Sequence, residues 1–274
     1  MKNRRCLLWA GLMGLVGCVH LLFLDAAPFL RMVVICTTLL IGMKWIVLFE
    51  WGGQLTWRRK LIFCFLWFGM EPRPFAAKKR ILGWRMDALV GVSCFLIGLL
   101  ASVTVAHFDK VPLLLMFVPL SIAFHYGLLR LLTAWWRMRG IAVRPLFRNP
   151  LVCEGLADFW SKRWNLSFSQ MMARAVQRPV ANRFGRRVGI FSVFLVSGLL
   201  HELAITLPVQ SGYGLPTLYF AAHGLVVLVE RDCWPLWLKR SIAIAMVALP
   251  LPLLFSELFT HEVIVFVLNQ FIIF

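Results

Sequence analysis

A histidine and a glutamate, His201 and Glu202, stand side by side in an apolar run, VGIFSVFLVSGLLHELAITLPV at 188–209. They lie about 13 residues from the basic end of that run. At about 1.5 Å of rise per residue, this places them near the middle of a hydrocarbon layer roughly 30 Å thick. Ionisable groups at such depth are costly and mark cavities that serve a function. A neutral imidazole with a reference pKa of about 6.5 can take a proton from a hydroxyl group. Ser197 sits one turn earlier on the same face, and Gly198 leaves room beside the ring for a helix or a ligand. Glu202 either supports His201 or partners another helix. Neighbours on a helix point about 100° apart, so a direct bond between the two is not implied.

Other chemistry can be weighed against this. HExxH would place zinc between two histidines, but Ile205 holds the fifth position and no metal is expected. His223, in AAHG, lies at comparable depth if its run is antiparallel to the first. His20, His107 and His125 read as structural. A transporter or channel could use His201 as proton relay or gate, but no inverted repeat or pair of broken helices is evident. A purely structural scaffold would tolerate His201→Gln.

The elements that must hold these residues are set by composition. Of 274 residues, 61% are hydrophobic and 15% charged, against about 25% charged in soluble domains. The expected fold is all-α, a polytopic bundle of about seven or eight transmembrane spans. Apolar runs place spans at 6–24, 28–49, 88–106, 111–132, 188–209, 213–229 and 236–255. Residues 61–70 are apolar but too few to cross, so a re-entrant or interfacial segment is expected there. Residues 263–274 form either a short final span or a piece tucked against the bundle. The first run continues to Leu24 without a small-residue cleavage site, which predicts a retained span. Seven scattered cysteines with no CxxC read as core residues.

Charge sets the orientation. With a cytoplasmic N-terminus and alternating spans, 26 of the 29 Lys and Arg residues fall on the cytoplasmic side, all but Arg31, Lys44 and Lys110. The net charge of +17 is then spread over membrane-flanking loops. That distribution favours anionic membrane lipids over nucleic acid as the partner. The Arg-rich loop could also take the phosphates of an anionic cosubstrate. In that loop, 155–180 draws one apolar stripe at steps of three and four: Leu156, Phe159, Trp160, Trp164, Phe168, Met171, Met172, Ala175 and Val176. A cytoplasmic amphipathic helix lying in the membrane interface is predicted. Asn165-Leu166-Ser167 has the form of a glycosylation sequon, but this topology puts it inside.

Three stretches in order, FWSKRWNLS at 159–167, SGLLHE at 197–202 and AAHGLVVLVE at 221–230, resemble the wax synthase-like branch of the membrane-bound O-acyltransferases. GMEPRPF at 69–75 is similar to that branch's upstream cytoplasmic motif. The likeness covers roughly 111–231, and the first two spans and the C-terminus match in hydropathy alone.

The resemblance implies an acyl-CoA:alcohol O-acyltransferase in the plain sense of its name, an enzyme with no metal or other cofactor and acyl-CoA as cosubstrate. The acceptor would be a lipophilic alcohol such as a wax alcohol. A short acyl donor with a terpenoid, sterol, sugar or glycolipid acceptor is the alternative. The resemblance carries the catalytic roles onto His201 and Asn165. Glu202, Ser197, His223 and Glu230 are expected to support them, His223 and Glu230 as recurring positions without an assigned role, and Trp160, Arg163 and Trp164 are expected to bind substrate. One membrane-embedded domain is expected, with N-terminal spans and the re-entrant segment at 1–87, a catalytic core at 88–231 and C-terminal spans at 232–274. The expected setting is the bacterial inner membrane, with a eukaryotic endoplasmic reticulum as the alternative.

Overall fold

The computed structural model describes residues 2–77, 83–107 and 113–266, and among these every regular element is helical. The final apolar segment expected at 263–274 lies largely outside the described residues. Among the described residues, five helices are long and apolar enough to cross a bilayer: Pro28–Trp51, Trp84–Val105, Phe117–Met138, Arg186–Val209 and Leu236–Leu254. Two shorter apolar helices, Cys6–Leu22 and Leu215–Val229, correspond to the two remaining expected spans. The chain is an integral membrane protein. It divides between Leu146 and Phe147 into two compact units.

The first unit holds α1 (Lys2–Leu22), α2 (Pro28–Trp51), α3 (Trp57–Leu66), α4 (Trp84–Ala106) and α5 (Phe117–Met138). Its outer faces are apolar, with Leu96, Ile97 and Leu100 of α4 all more than half exposed. Apolar exposure on that scale suits lipid as the solvent. Arg31, Lys44, Asp87, Ser102 and Thr133 are buried within it. Of the three cations that the charge rule left out of place, Lys110 lies outside the described residues, and Arg31 and Lys44 both have structural work. Arg31 donates to the carbonyls of Phe23 (3.1 Å), Leu24 and Ala26 (2.8 Å), where α1 ends. A cation there satisfies carbonyls that the helix leaves without partners.

Lys44 is fully buried and donates to the carbonyls of Phe63 (2.7 Å) and Gly69 (3.0 Å). The segment expected to be re-entrant or interfacial thus holds the end of a helix, α3, followed by extended chain that Lys44 holds down. Trp136 Nε1 also donates to Leu66 O at 3.0 Å, and the Phe75 ring packs between Phe63 and Trp136. Asp87, buried at the start of α4, receives Arg130 (2.7 Å) and Arg137 from α5.

The second unit carries the residues singled out by chemistry. Its elements are α6 (156–163), α7 (166–184), α8 (Arg186–Val209), α9 (Leu215–Val229), α10 (Leu236–Leu254) and α11 (257–265). Residues 155–180 do not form one helix. The chain breaks at Trp164–Asn165, where Asn165 takes the left-handed conformation (φ 40°, ψ 60°) and caps α7. Asn tolerates that conformation better than other residues with a Cβ. The apolar stripe is therefore shared by two helices, with Leu156, Phe159, Leu166, Met171 and Met172 buried. Leu156 and Phe159 join Cys153 and Ala243 of α10 in one core cluster.

Candidate active site

Helix α8 presents His201 at a defect. The helix is regular from Arg186 to His201, widens into a π-turn over Glu202–Thr206, and resumes at Leu207–Val209. Pro208 brings no N–H to the helix, and Thr206 Oγ1 donates back to Glu202 O at 2.9 Å. Both loosen the ladder at this point, and single π-turns recur where helices carry functional groups. His201 Nδ1 lies 2.6 Å from Ser197 O. A carbonyl only accepts, so Nδ1 carries the proton and the lone pair is on Nε2. Nε2 has no hydrogen-bond partner among the described residues. The ring is half-buried and lies 4.3 Å from the Phe220 ring, centre to centre. Ser197 contributes its carbonyl.

Glu202 turns away from His201. Its carboxylate accepts from Thr206 Oγ1 (2.7 Å), Gly214 N (3.1 Å), Thr217 N (3.0 Å) and Thr217 Oγ1 (2.8 Å). It thereby caps α9, whose first amides have no partner within the helix. Of the two roles open from the sequence, this geometry is that of a helix partner. Gly198 serves the same contact, since a Cβ there would come within 2.7 Å of Thr217 Cα. The room beside the histidine is filled by α9.

Helices α8 and α9 are antiparallel, with Gly198 against Thr217 and Phe194 against Gly224. In this register His223 faces α8 about eight residues before His201, roughly 12 Å nearer its basic end. The comparable depth expected of the two histidines is corrected to that extent, because the register is fixed by the two glycine contacts. The rings still share a neighbour, since Phe220 lies 6.4 Å from His223.

His223 is fully buried, and its Nδ1 donates to Tyr219 O at 2.8 Å. The Trp160 ring meets it edge-on at 5.4 Å and also packs on Phe194 and Phe220. Trp160 Nε1 and His223 Nε2 are buried without a partner at hydrogen-bond geometry. The Met246 carbonyl of α10 lies alongside His223. Pro250 has no N–H to offer that carbonyl. The next carbonyl, Val247 O, accepts from Tyr219 Oη at 3.2 Å.

The FWSKRWN stretch is clamped at both ends. Glu230 accepts from Leu156 N at 2.7 Å and so caps α6. The preceding Gly155 (φ 148°) lies so close to this carboxylate that a Cβ would strike it. Glu230 thus gains a definite structural role. Within α6, Phe159–Arg163 form a π-turn closed by Trp164 N to Phe159 O at 2.9 Å. Arg163 Nε donates to Asp158 at 2.9 Å, and exposed Lys162 reaches the same carboxylate at 3.0 Å. Burial pushes the Asp158 pKa up, but hydrogen bonds from Lys162, Arg163 and the Glu154 amide outweigh it and hold it below the ordinary carboxylate value.

Trp164 stacks on Phe159. Asn165 Oδ1 accepts from Phe168 N at 3.3 Å, and its amide NH₂ makes no hydrogen bond among the described residues. Ser169 Oγ donates to Trp160 O at 3.0 Å, tying the start of α7 to the tryptophan. The structure joins Trp160, Phe220, His223 and His201 in one chain of ring contacts. It draws no direct bond from Asn165 to His201.

The model of the Membrane bound O-acyl transferase family matches residues 143–221. That stretch contains FWSKRWN, the His201 defect and the start of α9. That stretch is similar to membrane-bound O-acyltransferase sequence. Three relatives extend the likeness. One, a "Probable long-chain-alcohol O-fatty-acyltransferase 1" of Arabidopsis thaliana, is 33% identical over 109 residues, 35% of this chain and 32% of the relative. A second from the same plant, "Probable long-chain-alcohol O-fatty-acyltransferase 9", is 30% identical over 143 residues, covering 45% and 42%. The "Long-chain-alcohol O-fatty-acyltransferase" of Simmondsia chinensis is 30% identical over 100 residues, covering 33% and 28%.

The chain thus matches about a third of the length of these curated relatives, and the resemblance to the wax synthase-like branch holds. All three are plant proteins, so they lend no support to a bacterial inner membrane. No solved structure matches the chain.

Proposed function

We propose that this membrane protein is an acyl-CoA-dependent O-acyltransferase that esterifies a lipophilic alcohol, with His201 as general base. The observation that carries this reading is the bond from His201 Nδ1 to Ser197 O, which leaves Nε2 as an unpartnered acceptor. The names of the relatives support a fatty acyl group and a long-chain alcohol.

In the reaction, Nε2 takes the hydroxyl proton as the alcohol oxygen bonds to the thioester carbonyl carbon. The tetrahedral intermediate collapses, the carbon–sulfur bond breaks, and the thiolate receives the proton back from His201. The Asn165 amide NH₂ donates to the oxyanion. Trp160 and Trp164 shape the wall along the acyl chain, and Arg163 is held in place by Asp158. Acyl-CoA is a cosubstrate approaching from the cytoplasm, the alcohol arrives from the bilayer, and no other cofactor takes part. The N-terminus is cytoplasmic, and the whole chain works as one acyltransferase domain.

The test offers purified protein in lipid nanodiscs a matrix of acyl-CoAs and alcohols and follows release of free thiol. Thiol release that needs both a long-chain acyl-CoA and a long-chain alcohol, with ester as product, is the expected result. Thiol release independent of any alcohol would overturn the proposal.

A further inference from the structure

The corner between α7 and α8 is a charged surface that the mechanism above does not use. Residues 182–188 are all exposed, and the stretch carries Arg183, Arg186 and Arg187, with exposed Arg178 a little over one turn before Arg183. By contrast, two other arginines of this unit are engaged, Arg163 by Asp158 and Arg240 by Cys153 O at 3.0 Å. Arg178, Arg183, Arg186 and Arg187 make no hydrogen bond or ion pair among the described residues. Arg183 lies over the exposed Phe184 ring, 5.2 Å from its centre. Four uncommitted guanidinium groups on one short corner favour phosphate, which matches their planar donor pattern.

Distance chooses the source of that phosphate. Arg186 opens the same straight stretch of helix that ends at His201, 16 residues in all. At about 1.5 Å per residue the two ends are roughly 22 Å apart. In coenzyme A the arm from sulfur to the first phosphorus is about 13 bonds. At roughly 3.6 Å for every three bonds of extended chain it spans about 16 Å. The second phosphorus and the reach of an arginine side chain cover the rest. A thioester beside His201 therefore puts the diphosphate and the ribose phosphate at the arginine corner.

We infer that Arg178, Arg183, Arg186 and Arg187 form the site for the phosphates of the acyl donor, with α8 acting as a ruler between phosphate and thioester. This rests on the proposed use of acyl-CoA. The competing source of phosphate is an anionic lipid headgroup.

The experiment measures equilibrium binding of free coenzyme A and of its 3′-dephospho form to the whole chain in neutral phosphatidylcholine nanodiscs. It does so for the parent and for R178Q/R183Q and R186Q/R187Q, each first shown to be monodisperse. Binding of coenzyme A should weaken about tenfold or more in each double variant. The 3′-dephospho form should bind the parent more weakly, and added salt should lower the affinity of the parent most. Unchanged coenzyme A binding in both variants overturns the inference. So does parent binding abolished by phosphatidylglycerol but insensitive to the arginines, which would assign the corner to lipid. Because binding is read without turnover, arginine-dependent binding to a protein that transfers no acyl group would sink the proposed reaction and leave this site standing.

Discussion

At the scale of single residues, the two conspicuous carboxylates of the motif stretches are helix caps. Glu202 neighbours His201 in sequence, yet all four of its donors belong to Thr206, Gly214 and Thr217. Sequence adjacency draws attention to the pair, but a helix turns successive side chains about 100° apart. Glu202→Gln should keep turnover within about tenfold of the parent, with an unchanged pH profile. Its thermal midpoint should fall, by the loss of about 1–3 kcal/mol of cap energy. A loss of turnover as large as that of His201→Ala would make Glu202 part of the proton path instead.

Asn165 offers a cleaner separation. Its left-handed backbone suits glycine equally well. Asn165→Gly should therefore fold like the parent yet lose at least about tenfold in turnover, the effect of one missing oxyanion donor being larger still in a well-aligned site. Full activity in Asn165→Gly would reduce Asn165 to a backbone role.

At the scale of elements, hydropathy was enough to place α1, α2, α4, α8, α9 and α10 close to their observed bounds, while α5 lies about six residues later than its expected span. Each is an apolar run bordered by charge or proline, and burial in lipid leaves the backbone little choice but helix. What hydropathy could not reveal were the breaks. The stripe from Leu156 to Val176 has a helical period throughout, and only the left-handed Asn165 divides it. The π-turn after His201 has a sequence cue in Pro208, but the cap at Gly214 that stabilises the region is formed by a carboxylate 12 residues away.

The link between Glu230 and Leu156 spans 74 residues and leaves no local trace beyond Gly155. Gly155→Ala should be severe. It forces a Cβ onto a backbone at φ 148° and against the Glu230 carboxylate. A loss of more than about 2 kcal/mol in stability is expected, read as a lower thermal midpoint in detergent. Glu230→Gln should recover none of it, because the backbone conformation is still wrong for alanine. Parent-like stability of Gly155→Ala would show that the clamp does not hold α6.

At the scale of the whole molecule, charge distribution is the most legible property. The two cations outside the cytoplasmic set that can be described, Arg31 and Lys44, are both committed to backbone carbonyls. They are exceptions that packing accounts for, so the remaining basic residues should report orientation. Cys233, exposed in the turn between α9 and α10, tests this directly. With a cytoplasmic N-terminus, a membrane-impermeant maleimide should label Cys233 in inverted vesicles and leave it untouched in right-side-out ones. Labelling from the outer face would reverse the topology, and with it the side from which the acyl donor enters. The choice of acceptor is not legible at this scale, since the sequence records apolar walls without the length of the space they enclose.

The account turns on the His201 imidazole acting as the base, and its most direct test is turnover by purified His201→Ala. General-base help contributes about 10² to 10⁴ in rate. The variant should insert, keep the thermal stability of the parent within a few degrees and still bind coenzyme A, while its rate of ester formation falls by at least about a hundredfold. Ester formation at close to the parent rate would contradict the account.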